Sequence, residues 1–225
     1  MSPELFYAPG TCAFAAIVAF EEAQADYRLR RLDFARGDQR SGDFLEINPL
    51  GRVPALRAPG VVLTELAAIL AYIGASYPDA GLLPSDSALL ARTYEYLSRF
   101  SSTFHLGVAL TFRGERFSSD TDVQDKLKAP ARAAFTDQLD RLEALYEGLV
   151  DGNLVGNRFG LADAFVLVVW RWAAKLEIDT VRYPAWTRTM AQHFERPSVL
   201  RAVAAEDGAP LWLGGEEGRA ERSGR

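Results

Sequence analysis

The chain has 225 residues, of which 48% are hydrophobic and 24% charged, so it is long enough to form a substantial core in one large or two smaller domains. Its formal net charge of −5 gives no basic footprint and argues against a nucleic-acid partner. A single cysteine excludes an internal disulfide framework, and neither a signal peptide nor a bilayer-length apolar run is visible, so we expect a cytoplasmic protein with no membrane partner.

The first 79 residues alternate strand and helix signals. Short apolar runs that end at proline or glycine predict strands, and longer apolar stretches after Thr11 and Glu65 predict helices. The predicted elements are, in order, a strand ending before Pro9, a helix from Thr11 to about Gln24, a strand over 27–33, a hairpin around Pro59-Gly60 and a helix ending before Pro78. This order predicts an α/β domain over residues 1–79, with helices packed on a mixed sheet.

The rest of the chain is predicted to be helical. Residues 80–88 are rich in Pro, Gly, Ser and Asp and are expected to form a linker to an all-helical domain over 89–213. Helices are predicted over 86–116, 123–149, 161–177, 183–195 and 197–206, and Pro130 is expected to mark either a kink in the second of these or a later start. Residues 214–225 lack an apolar anchor and are expected to be disordered.

The segment "NPLGRVPAL" contains a strand that begins at Val53-Pro54. Proline cannot donate to a strand ladder, so this start is unusual. If the Val53-Pro54 bond is cis, the backbone of Val53 is free to pair with an extended peptide ligand. The alternative is an ordinary turn from loop to strand.

Two helix starts carry residues that suit ligand chemistry. Backbone N–H groups at the helix after Glu65 favour an anionic group, while the Glu65 carboxylate suits an ammonium, so the pair fits an α-amino acid head. The alternative for Glu65 is a helix-capping role. Cys12 lies near the first turn of the preceding helix and is either a reactive thiol, a wall of a thiol site or a small core residue.

These motifs identify the chain as similar to the glutathione transferases, and among them to the bacterial beta class. The resemblance covers roughly residues 4–208 and is carried by "YAPGTCA", "NPLGRVPAL" followed by "LTE", "LVGNRFGLADAFVLVVWRW" and "YPAWTRTMAQHFERPSVLRAVAAEDG". It implies a thioredoxin-like N-terminal domain followed by an all-helical C-terminal domain that shapes the electrophile site. It also implies glutathione as co-substrate, no metal, and a homodimer.

The resemblance also implies individual site residues. Tyr7, Cys12 and His105 match positions beside the glutathione sulfur and are the expected catalytic residues. Glutathione is expected to be bound by Cys12, Arg36, Arg52, Val53, Pro54, Glu65, Leu66, Ser98 and His105. The hydrophobic substrate site is expected to include Phe14, Phe112 and Trp172.

Several positions depart from the family pattern. Leu66 stands where a serine is usual, Leu106 where a lysine is usual and Ser98 where an asparagine is usual. Arg36 is the nearest candidate for a lysine that normally follows the second strand, and Arg52 replaces a glutamine. We expect glutathione binding to survive, weakened by one or two lost charge-assisted contacts that are each worth about 1.5–3 kcal/mol.

Two further polar residues lie in the helical half. Asp163 is expected to reach back to the N–H of Gly160 and so supply half of a capping box. His193 is expected on a solvated helix face. Because no second His or Cys lies near it in sequence, we expect no metal site.

Three functions remain open from the sequence. The leading one is conjugation of glutathione to small apolar electrophiles, with glutathione held as a thiolate. The second is a glutathione-dependent lyase or thiol–disulfide reductase in which Cys12 forms a mixed disulfide. The third is a catalytically weak glutathione-binding or ligand-binding protein, favoured by Leu66 and Leu106.

Overall fold

The computed structural model describes residues 2–206, which form a small mixed sheet flanked by helices and then a helical bundle. The strands are β1 (Glu4–Tyr7), β2 (Arg28–Arg31), β3 (Ala55–Ala58) and β4 (Val61–Thr64), with helices α1 (Phe14–Glu22), α2 (Gly42–Ile47) and α3 (Leu66–Ser76). The bundle consists of α4 (Ser87–Arg99), α5 (His105–Phe112), α6 (Thr121–Glu147), α7 (Leu161–Lys175), α8 (Pro184–Phe194) and α9 (Pro197–Ala205). The predicted fold class is confirmed, while the tail predicted over 214–225 lies outside the described residues.

The sheet has the strand order β2-β1-β3-β4, in which only β1 and β2 run parallel. Helix α1 provides the crossover that a parallel pair requires, and β3 and β4 form the predicted hairpin. Successive strand residues point to opposite faces: Leu5 joins the main core with Leu56, whereas Phe6 packs with Phe44 of α2. Helix α2, which the sequence did not predict, therefore covers the second face of a thioredoxin-like sheet.

Two helices are buried on all sides over most of their length. Residues 14–20 of α1, all apolar, and residues 161–173 of α7, apolar apart from Asp163 and Arg171, are all buried, as expected for helices without a continuous polar face. Helix α1 lies against α3, α7 and α9, so it joins the sheet to the helical bundle. The cores of the two parts of the chain are therefore continuous.

The start of α1 differs from its prediction. The hydroxyl of Thr11 donates to the carbonyl of Ala8 at 2.6 Å and does not cap the helix. The helix begins at Phe14, after Ala13 in the N-cap position without a side-chain cap. The turn at Pro9-Gly10 thus continues for three more residues, and Cys12 lies in this turn before the helix.

The helix predicted over 86–116 is also different. A π-helical segment, Phe100–Phe104, separates α4 from α5, and α5 ends at Phe112. By contrast, α6 runs from Thr121 to Glu147 through Pro130, so the later start that was one alternative for this residue is wrong. Pro130 is exposed, so solvent can hydrate the carbonyl that loses its helical N–H donor.

The start of α7 shows the predicted cap and an unpredicted buried histidine. Asp163 accepts hydrogen bonds from the N–H groups of Gly160 at 2.9 Å and Leu154 at 2.8 Å, and burial raises its pKa to about 7. His193 is buried, with its ring edge-on to Phe159 and Nε2 3.9 Å from Asp163 Oδ1. The predicted exposure of His193 is wrong because this face of α8 packs on the cap, where burial lowers the pKa of His193 to about 4.

Within residues 2–206, no helix is both long and apolar enough to cross a membrane.

Glu143 allows a test of how the bundle is held together. Its buried carboxylate accepts the N–H groups of Ala185 at 2.8 Å and Trp186 at 2.9 Å, which are orphan donors at the start of α8. We expect Glu143→Ala to lower the free energy of unfolding by about 3 kcal/mol, because both buried donors lose their acceptor. Urea denaturation should show this loss, whereas Glu147→Ala at an exposed position of the same helix should change stability by less than about 0.5 kcal/mol.

Candidate functional site

A cleft of about 580 Å³ lies where the turn after β1, the segment before β3 and the start of α3 face α5 and α7. It brings together nine residues that the sequence predicted for the site: Cys12, Arg52, Val53, Pro54, Glu65, Leu66, His105, Phe112 and Trp172. A larger depression beside α2, of about 880 Å³, contains none of the predicted residues. Among the described residues, no group of three or more His, Cys, Asp or Glu side chains is placed to hold a metal ion.

The segment before β3 presents one backbone edge to the cleft. The Val53-Pro54 bond is cis, which is one of the two alternatives that the sequence left open. The side chain of Asn48 ties the preceding loop together, because it accepts the N–H of Leu50 at 3.1 Å and donates to the carbonyl of Arg52 at 2.7 Å. Nothing within residues 2–206 accepts a hydrogen bond from the N–H of Val53. This N–H is therefore available to a ligand.

Gly51 is required for this loop. Its φ of +60° lies in the left-handed region, and a Cβ there would come within 2.7 Å of the carbonyl oxygen of Gln39. A larger residue would displace the loop that presents Val53.

Glu65 stands between β4 and α3 with a backbone φ of +66°. This region is costly for a residue other than glycine, and such strain concentrates at functional sites. The carboxylate of Glu65 makes no capping hydrogen bond to α3, so the capping alternative is wrong. The side chain is exposed and lines the cleft, whereas Leu66 beside it is buried in the core and offers no side-chain donor.

Cys12 lies at the base of the cleft in its thiol form. Its sulfur is 3.9 Å from the carbonyl oxygen of Val53, and only 6% of the residue is exposed. Burial raises the pKa of Cys12 to about 12; Glu65 also raises it, and Arg116 opposes these effects. A cysteine nucleophile needs a depressed pKa, so this environment suits a wall or hydrogen-bond partner better than an attacking group.

His105 forms the opposite wall. Its ring lies on Trp172, with centroids 4.7 Å apart and planes at 32°. Burial, assisted by Arg116 and Arg52, lowers the pKa of His105 to about 4, so the imidazole is neutral at pH 7. The π-helical segment before His105 also places Ser101 in the cleft lining.

The cleft is rich in cations. The positively charged side chains that line it are Arg52, Arg113, Arg116 and Lys175, and Glu65 is the one carboxylate in the described lining. Arg113, Arg116 and Lys175 were not predicted from the sequence. Two arginines within the short stretch between Phe112 and Phe117 were the available signal.

Four predicted site residues lie elsewhere. The hydroxyl of Tyr7 points to α9, where it is 3.4 Å from the carbonyl oxygen of Ala205, and Phe14 is fully buried beneath the guanidinium of Arg171. Both are core residues because the helical bundle covers this side of the sheet. Arg36 and Ser98 are exposed and do not line the cleft.

Glu206 was missed entirely by sequence reasoning. One oxygen of its buried carboxylate accepts the N–H of Gly10 at 3.1 Å, and the other lies 2.6 Å from Nη2 of Arg171. Gly10 belongs to the turn that contains Cys12. The end of α9 therefore positions one edge of the cleft, a long-range contact that no local pattern reveals.

The buried thiol gives a direct prediction. We expect iodoacetamide at pH 7.5 to alkylate Cys12 in the folded protein at least about tenfold more slowly than in the same protein unfolded in urea. The raised pKa lowers the fraction of thiolate, and burial restricts access of the reagent to the sulfur. Because the chain has one cysteine, mass spectrometry of the intact protein reports on this site alone. Equal rates in the two states would contradict the assignment.

Comparison with known proteins identifies the family of this chain. Residues 1–75 match the glutathione S-transferase N-terminal domain, and residues 103–197 match the glutathione S-transferase C-terminal domain. Glutathione S-transferase GstA of Escherichia coli O157:H7 is 33% identical over 208 residues, a match that spans 90% of this chain and 98% of the relative.

Solved structures support the same family. A glutathione transferase homolog from Sulfitobacter with bound glutathione superposes with a TM-score of 0.85 at 34% identity, over 93% of this chain and 99% of its own. The beta-class glutathione S-transferase of Sphingomonas chungbukensis superposes with a TM-score of 0.79 at 34% identity, over 91% of this chain and 99% of its own. The chain belongs to the glutathione S-transferase family of transferase enzymes and is similar to its bacterial beta class.

Proposed function

We propose that this chain activates the thiol of glutathione for attack on small apolar electrophiles. The observation that carries the proposal is the cleft itself: an open backbone edge at Val53, a carboxylate at Glu65 and several cations surround one cavity. A volume of about 580 Å³ lies within the range of roughly 300–1,000 Å³ typical of small-molecule sites. The relatives with bound glutathione support the same ligand.

Each part of glutathione has a counterpart in the cleft. The cysteinyl backbone pairs with the N–H of Val53 in an extended, strand-like contact. The Glu65 carboxylate binds the γ-glutamyl ammonium, while backbone N–H groups at the start of α3 bind the neighbouring carboxylate. Arg52, which lines the same part of the cleft, binds the glycyl carboxylate.

The thiolate is stabilised by charge and by donors. A thiol with a pKa of about 8.5 is roughly 3% ionised at pH 7, and lowering that pKa to about 6.5 gives roughly 25-fold more nucleophile. The positive end of α1 and the guanidinium of Arg116 favour the thiolate. Neutral His105 donates an N–H to the sulfur without titrating near pH 7.

The reaction then needs little further chemistry. The thiol proton passes to solvent, and the sulfur lone pair forms a C–S bond to the electrophilic carbon. The leaving group departs with the electron pair of its broken bond. Holding sulfur and carbon side by side supplies the remaining acceleration through proximity.

Cys12 takes an assisting role in this proposal. As a buried thiol beside the carbonyl of Val53, it forms the wall that fixes the glutathione sulfur. Disulfide exchange by Cys12 would require a thiolate, which its raised pKa disfavours. Conjugation is therefore preferred over the lyase or reductase function. The proposal includes a homodimer, as is typical of the family, and a cytoplasmic location, which suits a single reduced cysteine.

The function is tested by binding and turnover together. Calorimetry at millimolar glutathione should show binding, and chlorodinitrobenzene should be conjugated with release of chloride. The Cys12→Ala variant should retain conjugation to within about tenfold, because the glutathione sulfur is the nucleophile and a wall contact contributes at most about 1.4 kcal/mol. Absence of glutathione binding would refute the proposal. Abolished turnover with intact binding in Cys12→Ala would instead favour the Cys12-centred chemistry.

Leu66 provides a gain-of-affinity prediction. Its buried side chain offers no donor to the γ-glutamyl carboxylate, so Leu66→Ser should add one charge-assisted hydrogen bond and tighten glutathione binding about tenfold. Leu66→Ala is the matched control, because it removes the same apolar atoms without adding a hydroxyl. Calorimetric dissociation constants that are equal for the two variants would show that a hydroxyl introduced at this position does not reach the ligand.

A further inference from the structure

The helical side of the cleft combines exposed aromatic surface with positive charge. Phe112 and Phe117 are 40% and 46% exposed, which is unusual for side chains of this size. Nζ of Lys175 lies 4.7 Å from the centroid of the Phe112 ring. Trp172, one turn before Lys175 on α7, is packed beneath His105 and lines the same wall. A planar apolar group fits against these rings with a cation at its edge.

These cations have little compensation from the protein. Within residues 2–206, no carboxylate lies within 4 Å of the ammonium of Lys175. In the part of the chain that the structure describes, the one carboxylate paired with Arg113 is Glu115, at 3.4 Å, and both side chains are exposed, so that contact is weak. Burial, with a smaller effect from the neighbouring Arg113 and Arg52, lowers the pKa of Arg116.

Glutathione does not neutralise this charge. As a thiolate it has two carboxylates, one ammonium and one sulfur anion, a net charge of about −2 at pH 7. The described lining holds four cations and one carboxylate. The loaded cleft therefore keeps an excess of positive charge. Arg52 adjoins Val53 and is paired with the glycyl carboxylate in the proposed complex. The remaining positive charge therefore lies on the helical side of the cleft, at Arg113 and Lys175.

We propose that, among electrophiles with an aromatic ring, this cleft prefers those that have an anionic substituent, such as a carboxylate or a sulfonate. The ring of such a compound packs against Phe112 and Phe117, and its anionic group is bound by Lys175 and Arg113. This inference rests on the proposed function and specifies the substrate class of the same site. A neutral electrophile would leave the cations solvated but unpaired, so charge discriminates between otherwise similar substrates.

The experiment compares chlorodinitrobenzoate with its methyl ester. In both, the glutathione sulfur bonds to the ring carbon and chloride leaves with the electron pair of the C–Cl bond, so the two differ mainly in charge. Each kcat/KM is divided by the uncatalysed rate with glutathione, which removes the difference in intrinsic reactivity. We expect the acid to be preferred by about tenfold or more at low ionic strength, with the preference falling as salt is added.

Variants assign the preference to named side chains. Lys175→Gln and Arg113→Gln should each lower the acid-to-ester ratio by several-fold, mainly through KM for the acid. Lys126→Gln removes an exposed cation of α6 outside the cleft and should leave the ratio unchanged. A change in the ratio is not produced by lost stability, which affects both substrates equally.

The possible outcomes distinguish failure of this inference from failure of the proposed function. Turnover of the ester with no preference for the acid, or a preference that survives both cleft variants, overturns the anionic substrate class and leaves conjugation intact. Failure to turn over either compound, together with no glutathione binding by calorimetry, overturns the proposed function itself. A salt-sensitive preference for the acid that is reduced in Lys175→Gln and Arg113→Gln supports both.

Discussion

The buried carboxylate of Glu206 is the contact on which the cleft depends. It holds the N–H of Gly10 with one oxygen and the guanidinium of Arg171 with the other, at the junction of α9, α7 and the turn after β1. Arg171 is in turn enclosed by the ring of Phe14. Removing one member of a buried ion pair leaves an uncompensated charge that costs roughly 3–5 kcal/mol. The position of the Cys12 turn is thus inseparable from the docking of the helical bundle.

This docking divides the chemistry between the two parts of the chain. The sheet side contributes backbone groups, Arg52 and one strained glutamate, which suit a ligand that is itself a peptide. The helical side contributes rings and cations, which suit a second compound of different chemistry. The sheet part of the chain alone would have no wall opposite Val53. The site therefore lies between the sheet part and the helical bundle, and neither part forms it alone.

Local features of the fold and the site were predictable because they depend on residues that are close together in the sequence. The cis bond at Val53-Pro54 and the hydrogen bond between the Asp163 carboxylate and the N–H of Gly160 depend on residues a few positions away. The first was one of two alternatives and the second was expected. Tyr7 was expected in the site from the family resemblance and His193 on a solvated face from its polar neighbours, and neither argument identifies what covers the residue in the fold. A helix or a cap that is distant in sequence buries each of these residues, so no local sequence pattern reveals their burial.

The π-helical segment before His105 has a consequence for how such a site can arise. A π turn accommodates one residue more than an α-helix of the same length, and such bulges are frequent at functional sites. Each residue of an α-helix turns the chain by about 100°, so one additional residue redirects everything that follows it. The direction of His105 therefore depends on a count of residues rather than on the choice of any side chain. A single inserted residue is sufficient to turn an imidazole towards the cleft without altering the core that α4 forms.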